Sequence, residues 1–158
     1  MKLAAARLYL LEQLIRTLDR LPARRRMTTP NHLRTGQEGE LSAYFHLRRL
    51  GYTIVARDWK CPKAPGDIDL IAWDSDTLCF VEVKTRTTRD FATAESSVDN
   101  HKRRTLRRLA SHYLRHLPDH TPHRFDVLSI YLTPPGAPNR IQAPTFELFR
   151  NAFSTANN

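Results

Sequence analysis

Two apolar stretches, Ile68 to Trp73 and Leu78 to Val83, flank the polar turn Asp74-Ser75-Asp76. Both are rich in the branched and aromatic residues that suit a pleated sheet. A short polar turn between two such runs closes a β-hairpin. This hairpin constrains the chain more than any other feature, because it decides which residues of one strand stand beside which of the other. Asp69 opens the first strand, and Glu82 and Lys84 end the second. Residues two apart on a strand share a face, so Glu82 and Lys84 project together. The hairpin brings Asp69 within reach of both.

Helical and extended patterns surround the hairpin. Residues 3–20 carry Leu8, Leu11, Ile15 and Leu18 at helical spacing, which predicts an amphipathic helix. Pro22 stops it, and residues 22–35 read as a basic linker. Met27 offers a second start, which would make the first 26 residues an extension. A second helix is expected over 37–50, opened near Gly36 and Gly39 and closed by Gly51. Tyr52 to Ala56 reads as a strand, and Cys61 to Gly66 as a loop. Residues 87–98 read as a further loop. A third helix is expected from a cap at Ser97, Asp99 or Asn100 to about His116. Phe125 to Leu132 is a strand, Ile141 to Phe149 an edge strand or short helix, and the chain from Asn151 a frayed tail.

The expected architecture is therefore α/β: one domain over 36–150 with a mixed central sheet flanked by helices. Residues 1–35 precede it as helix and linker, and 151–158 follow as tail.

The chain of 158 residues has a net charge of +9, which points to a polyanionic partner. The charge is unevenly spread. Residues 1–35 carry eight positive and two negative groups, and residues 99–127 seven and three. Between them, residues 36–98 carry eight positive and ten negative. An acid-rich centre between basic segments suits a protein that grips phosphates with its flanks and a cation with its middle. Cys61 and Cys79 form neither a metal-type pair nor a disulfide framework, and read as reduced thiols of a cytoplasmic protein. No stretch is apolar enough to span a membrane.

Phosphodiester hydrolysis with a metal needs hard oxygen ligands, an activated water and a group to stabilise developing negative charge. Asp69 and Glu82 would hold Mg2+ or Mn2+, and Lys84 would orient the water or stabilise the charge. Asp67 competes with Asp69, which is preferred because it abuts Leu70-Ile71-Ala72. Asp67 is kept as a supporting carboxylate. Glu40 falls on the apolar stripe of its helix with Tyr44 and Leu47. Two roles are open to it: a further ligand, or a first-turn acid favoured by the helix dipole.

The basic residues Lys102, Arg103, Arg104, Arg107 and Arg108 cluster on one helix, and with Arg86 they are candidates for contacting nucleic-acid phosphates. A solvated face that only confers solubility is the other reading. Lys102 shares the inward stripe with Leu106, Leu109 and Tyr113, so it could point at the site. The histidines from His101 to His123 lack a zinc-binding motif. Trp59 and Trp73 read as packing residues, with base stacking open to Trp59.

These residues carry a family resemblance. Gly36-x-x-Gly39-Glu40-x-x-Ala43, Gly51-Tyr52, Gly66-Asp67-Ile68-Asp69-Leu70-Ile71 and Phe80-Val81-Glu82-Val83-Lys84-x-Arg86 resemble the YraN-like family. Lys102 and Arg124-Phe125-Asp126-Val127 fit the same pattern. That bacterial family is similar to archaeal Holliday-junction resolvases and the wider PD-(D/E)xK restriction-endonuclease-like superfamily. The resemblance covers roughly residues 34–132.

It implies a restriction-endonuclease-like core, Asp69, Glu82 and Lys84 as the triad, and Glu40 as the helical acid. It also implies a homodimer by analogy with the resolvases. Asp67 departs from the Glu of many relatives, and the N-terminal helix has no counterpart with an inherited role. Three functions are weighed: a metal-dependent endonuclease for structured or branched DNA, a nucleic-acid-binding module with a vestigial site, and a scaffold that meets a partner through its N-terminal helix.

Overall fold

The computed structural model describes residues 31–86, 98–131 and 144–155, with the side chains of 31–35 left out. The helix expected over 3–20, most of the basic linker, the loop expected over 87–98 except its last residue, and the expected strand residues 132 and 141–143 lie outside these residues. The elements run α1 (Asn31–Arg49), β1 (Thr53–Cys61), β2 (Ala64–Asp74), β3 (Thr77–Arg86), α2 (Asn100–Leu114), β4 (His123–Tyr131) and β5 (Thr145–Phe153).

The expected hairpin forms. β2 and β3 pair antiparallel from Asp74↔Thr77 to Leu70↔Val81. Ser75 takes a left-handed backbone in the turn between them (φ 53°). The strands make one sheet in the order β1-β2-β3-β4-β5. All neighbours are antiparallel except β3 and β4, which run parallel from Leu78↔His123 to Arg86↔Tyr131. A parallel pair cannot close through a tight turn, and α2 lies in the crossover. The mixed α/β sheet flanked by helices is thus as expected, and it is consistent with a restriction-endonuclease-like core.

Two apolar layers sandwich the sheet. Leu106, Leu109 and Ala110 of α2 cover Ile68, Ile71, Leu78, Phe80, Phe125 and Val127. Ala43 and Leu47 of α1 cover Leu70, Ala72, Cys79, Val81, Leu128 and Ile130. β3 is therefore buried on both faces, which is why it reads as a continuous apolar run rather than an alternating one. Burying each such Leu, Ile or Phe contributes roughly 1.5–3 kcal/mol.

Beyond β1 running on to Cys61 rather than ending near Ala56, three differences from the expected boundaries shape the fold. Cys61 to Gly66 is not a loop: Pro62 and Lys63 form a tight turn, and β2 begins at Ala64. Pro65 is tolerated because β2 is paired there only with β1, the β3 ladder starting at Leu70. Gly66 (φ +97°) adopts a backbone that side chains resist, and a Cβ on it would approach Thr105 Cγ2 to 2.7 Å.

The second difference is at the C-terminus. Residues 151–153 are not frayed but continue β5, since Ala152 and Phe153 are buried and the Phe153 ring stacks on Phe125 at 4.8 Å; residues 156–158 of the expected tail lie outside the described residues. The left-handed turn of the backbone at Asn151 (φ 51°) and a register shift opposite Phe125/Val127 break the alternation that would mark this strand in sequence. The third difference is that α1 starts at Asn31, so Gly36 and Gly39 lie inside it and part of the expected linker is helical.

At the end of the sheet where β2 ends and β4 begins, a polar network ties three strands and Tyr52. Fully buried Asp126 accepts from Arg124 Nε at 3.0 and 3.1 Å and from the Asn151 N–H at 2.8 Å. Arg124 also donates to Asp74 (2.7 Å) and to the Tyr52 hydroxyl (3.0 Å).

Gly39 sets the approach of α1 to β3. A Cβ there would collide with the Thr85 hydroxyl and lie 3.2 Å from Thr85 Cβ. Gly39→Ala is expected to destabilise the protein by about 1–3 kcal/mol, the cost of overpacking. Thr85→Ala in the same chain should recover part of the loss, as read by urea unfolding. Equal losses in the single and double variants would contradict this contact.

Candidate active site

The site lies toward the other end of the sheet, with Glu82 and Lys84 in the second half of β3 and Asp67 and Asp69 in the first half of β2. The β2–β3 ladder ends at Leu70↔Val81, and Asp69 and Glu82 are the next residue of each strand beyond it. Asp69 Oδ2 accepts the Val83 N–H at 2.7 Å, so its carboxylate is anchored to the strand that carries Glu82. Glu82 follows Phe80 by two and projects on the α2 side of the sheet. It is only 3% exposed.

Both lysines converge on Glu82. Lys84 Nζ lies 3.0 Å from Oε1, and Lys102 Nζ lies 3.0 Å from Oε2 and 3.7 Å from Asp67 Oδ1. The Lys102 contact is an ion pair by charge and distance, but Oε2 is buried without a well-directed hydrogen bond. α2 holds Lys102 in place: Asp99 caps the helix by accepting the Lys102 N–H at 2.8 Å. Lys102 therefore belongs to the site itself, as its inward position on the helix suggested.

Two acids are held partly protonated near neutrality. Burial, and then the charge of Glu82, raise Asp69 from 3.8 to about 7, against the Val83 N–H and Lys102. Burial, and then the charge and hydrogen bond of Asp58, raise Glu40 from 4.5 to about 7. The partner of Glu40 is thus Asp58 of β1. Glu40 reaches the same edge of the sheet, but its closest carboxylate is neither Asp69 nor Glu82. Asp58 is the acid that the sequence reading missed. It sits in left-handed backbone (φ 46°), a conformation Asp accepts more readily than most residues. Lys102 is held above its ordinary range: burial works against its charge, but Glu82, Asp69 and Asp67 outweigh it.

The residues present suit a hard divalent cation. The donors are carboxylates, one buried Glu82 oxygen lacks a directed partner, and two acids hold protons that a cation would displace. Among the described residues no three acidic, imidazole or thiol side chains already close around one point. Lys102 stands among Glu82, Asp69 and Asp67 instead.

The basic residues divide into separate groups. Arg103 and Arg107 face the C-terminal strand: their guanidinium groups lie 5.7 and 5.6 Å over the Phe153 ring, and Arg107 donates to the Ser154 carbonyl at 2.9 Å. Arg104 and Arg108 are exposed, with Arg104 Nε donating to the Asn100 carbonyl at 3.2 Å. Arg86 ends β3 beside Tyr131. Trp59 lies in β1, and its ring meets Tyr113 edge-on at 5.3 Å, as a packing residue would. Cys61 and Cys79 are free thiols. No helix among the described residues is long and apolar enough to cross a membrane.

Comparison with known proteins gives a consistent picture. Residues 39–130 match the model of "Uncharacterised protein family UPF0102". A UPF0102 protein of Koribacter versatilis is 50% identical over 124 residues, 78% of this chain and 82% of the relative. One of Solibacter usitatus is 42% identical over 141 residues, 89% of this chain and 97% of the relative. One of Moorella thermoacetica is 42% identical over 106 residues, 66% of this chain and 86% of the relative. The Solibacter match is longer than the stretch from Met27 to the end, so it takes in part of the segment before Met27.

The raised acids predict a pH dependence with a definite sign. A carboxyl whose folded pKa exceeds its unfolded value binds extra protons in the folded state. Stability then falls as pH rises from the unfolded pKa through about 7. Asp69→Asn removes one such group and keeps an acceptor for the Val83 N–H. In cation-free buffer the melting temperature of the wild type should fall more steeply between about pH 5 and pH 8 than that of Asp69→Asn. Parallel profiles would show that Asp69 is ionised throughout.

Proposed function

The chain belongs to the uncharacterised protein family UPF0102, the YraN-like family of the restriction-endonuclease-like superfamily, and we propose that it is a divalent-cation-dependent endonuclease acting on structured or branched DNA. One observation carries this reading. Asp69 Oδ2 accepts the Val83 N–H at 2.7 Å, which sets its carboxylate against the residue next to Glu82, and the Lys84 ammonium lies 3.0 Å from Glu82 on the same strand.

In this reading Asp69 and Glu82 hold Mg2+ or Mn2+, and Asp67, Asp58 and Glu40 add negative charge at the same edge. A cation bound there supplies Lewis-acid polarisation of a phosphate oxygen and a more acidic water. The protein's own groups do the rest. Glu82 fixes the Lys84 ammonium, which at 34% side-chain exposure is open to an incoming phosphate. Lys84 donates a hydrogen bond to the attacking water or to a non-bridging phosphate oxygen, and its charge offsets the negative charge that grows there. Water adds to phosphorus, one ester oxygen leaves with a proton, and a phosphomonoester and a free hydroxyl result. Glu40 and Asp58, close enough to share a proton, can take up or supply one near neutral pH.

The exposed Arg104 and Arg108 on α2 are the helix's phosphate-contacting candidates, with Arg86 at the end of β3. Arg103 and Arg107 already brace Phe153, so their loss would weaken the fold as well as any nucleic-acid contact. The net charge of +9 supports a polyanionic substrate.

The test is incubation of the purified chain with branched, single-stranded and duplex DNA in Mg2+ or Mn2+. Cleavage is expected, strongest on branched DNA. Glu82→Gln and Lys84→Ala should each lower the rate about 10²-fold or more, as removal of a charge-stabilising group does. Undiminished cleavage in either variant would overturn the catalytic assignment. Salt-dependent DNA binding without cleavage under any of these conditions would replace it with a binding module whose site no longer turns over.

A further inference from the structure

Building on the cation site just described, we propose that Lys102 is a tethered counter-cation: its ammonium stands in for the divalent cation in the cation-free protein and must leave Glu82 before the cation can bind.

The geometry is competitive. Lys102 Nζ is 3.0 Å from Glu82 Oε2 and 3.7 Å from Asp67 Oδ1. Its charge also acts on Asp69. One ammonium thus sits among three carboxylates, where a divalent ion would find its ligands. A small divalent cation takes carboxylate oxygens at about 2.1 Å. It cannot share Oε2 with an ammonium without setting two positive charges almost in contact.

Glu82 needs a counter-charge because it is 3% exposed, and an unpaired buried carboxylate is costly. Lys84 covers only Oε1. Lys102 is the charge that faces Oε2, at 3.0 Å, so a cation that takes this oxygen must displace it.

Lys102 is also built to leave. Its backbone is fixed by the Asp99 cap, while its side chain is 26% exposed on a flexible stem. Displacement therefore requires rotamer changes and no movement of α2. The released ammonium would stand at the start of α2, on the helix that also carries the exposed Arg104 and Arg108. There it would meet the phosphate that comes with the substrate. Cation loading and phosphate binding then reinforce each other, because each is favoured once Lys102 has left Glu82.

The test measures cation binding directly, by Mn2+ titration of the full chain followed through the electron paramagnetic resonance of free Mn2+. Lys102→Met should bind Mn2+ roughly tenfold tighter than wild type or more, since a competing unit charge is gone from the site. Lys102→Arg, which keeps the charge, should stay close to wild type. In Glu82→Gln the binding should be lost. Without cation, Lys102→Met should melt below wild type, and Mn2+ should raise its melting temperature by more. If Lys102→Met does not fold, Lys102→Gln serves the same comparison. Equal or weaker Mn2+ binding in the Lys102 variant, with wild-type binding still dependent on Glu82, overturns the counter-cation proposal and leaves the cation site intact. Absence of Glu82-dependent Mn2+ binding in both wild type and the Lys102 variant overturns the cation site and this proposal with it.

Discussion

Strand β3 is paired on both sides and covered by a helix on each face, and this burial reaches the residue at which the strand turns polar. Glu82 is that residue, carried into the interior by the same alternation that buries Leu78 and Phe80. A carboxylate so enclosed must find positive charge. Lys84 supplies it from the same strand and Lys102 from the first turn of α2. The Asp99 cap and the close approach of α1 at Gly39 are the local devices that bring two helices to this one strand end.

The two polar ends of the sheet make an instructive contrast. Asp126 is as deeply buried as Glu82, yet two contacts from Arg124 and one from the Asn151 N–H satisfy it, and Arg124 is in turn tied to Asp74 and Tyr52. Such a closed network rigidifies a fold. At the opposite end Glu82 Oε2 lacks a directed partner, and Asp69 and Glu40 are pushed to about 7 by burial and neighbouring acids. Groups left in that condition concentrate at functional sites, because a bound species completes them. The difference lies in satisfaction, since both clusters are acidic, basic and buried in similar measure.

Local patterns made much of the architecture legible. The hairpin, the basic helix after it and the strand at Phe125 follow from runs of apolar residues and the turns between them. Elsewhere, long-range contacts overrode local signals. Pro62, Pro65 and Gly66 spell a loop, but the β1–β2 pair extends through them because only one side of β2 needs hydrogen bonds there. Arg150-Asn151 suggests a tail, yet Phe153 finds Phe125 beneath it and Arg103 and Arg107 above. Those two arginines look like the rest of the basic face in sequence. Their partners lie about fifty residues downstream, where no helical periodicity can point.

By itself, the sequence determined the β2–β3 hairpin, which brings Asp69 near Glu82, and the shared face of Glu82 and Lys84. Strand alternation and a short turn are local, and a one-residue slip would turn Leu70, Ala72 and Val81 out of the core. Tertiary structure alone decided the company these residues keep. Asp58 became the partner of Glu40, Lys102 the second cation on Glu82, and the basic helix split between site, surface and C-terminal strand. Each of these depends on how two helices are set against the sheet. That setting is governed by packing at Gly39, Gly66 and Thr105 rather than by any pattern along the chain.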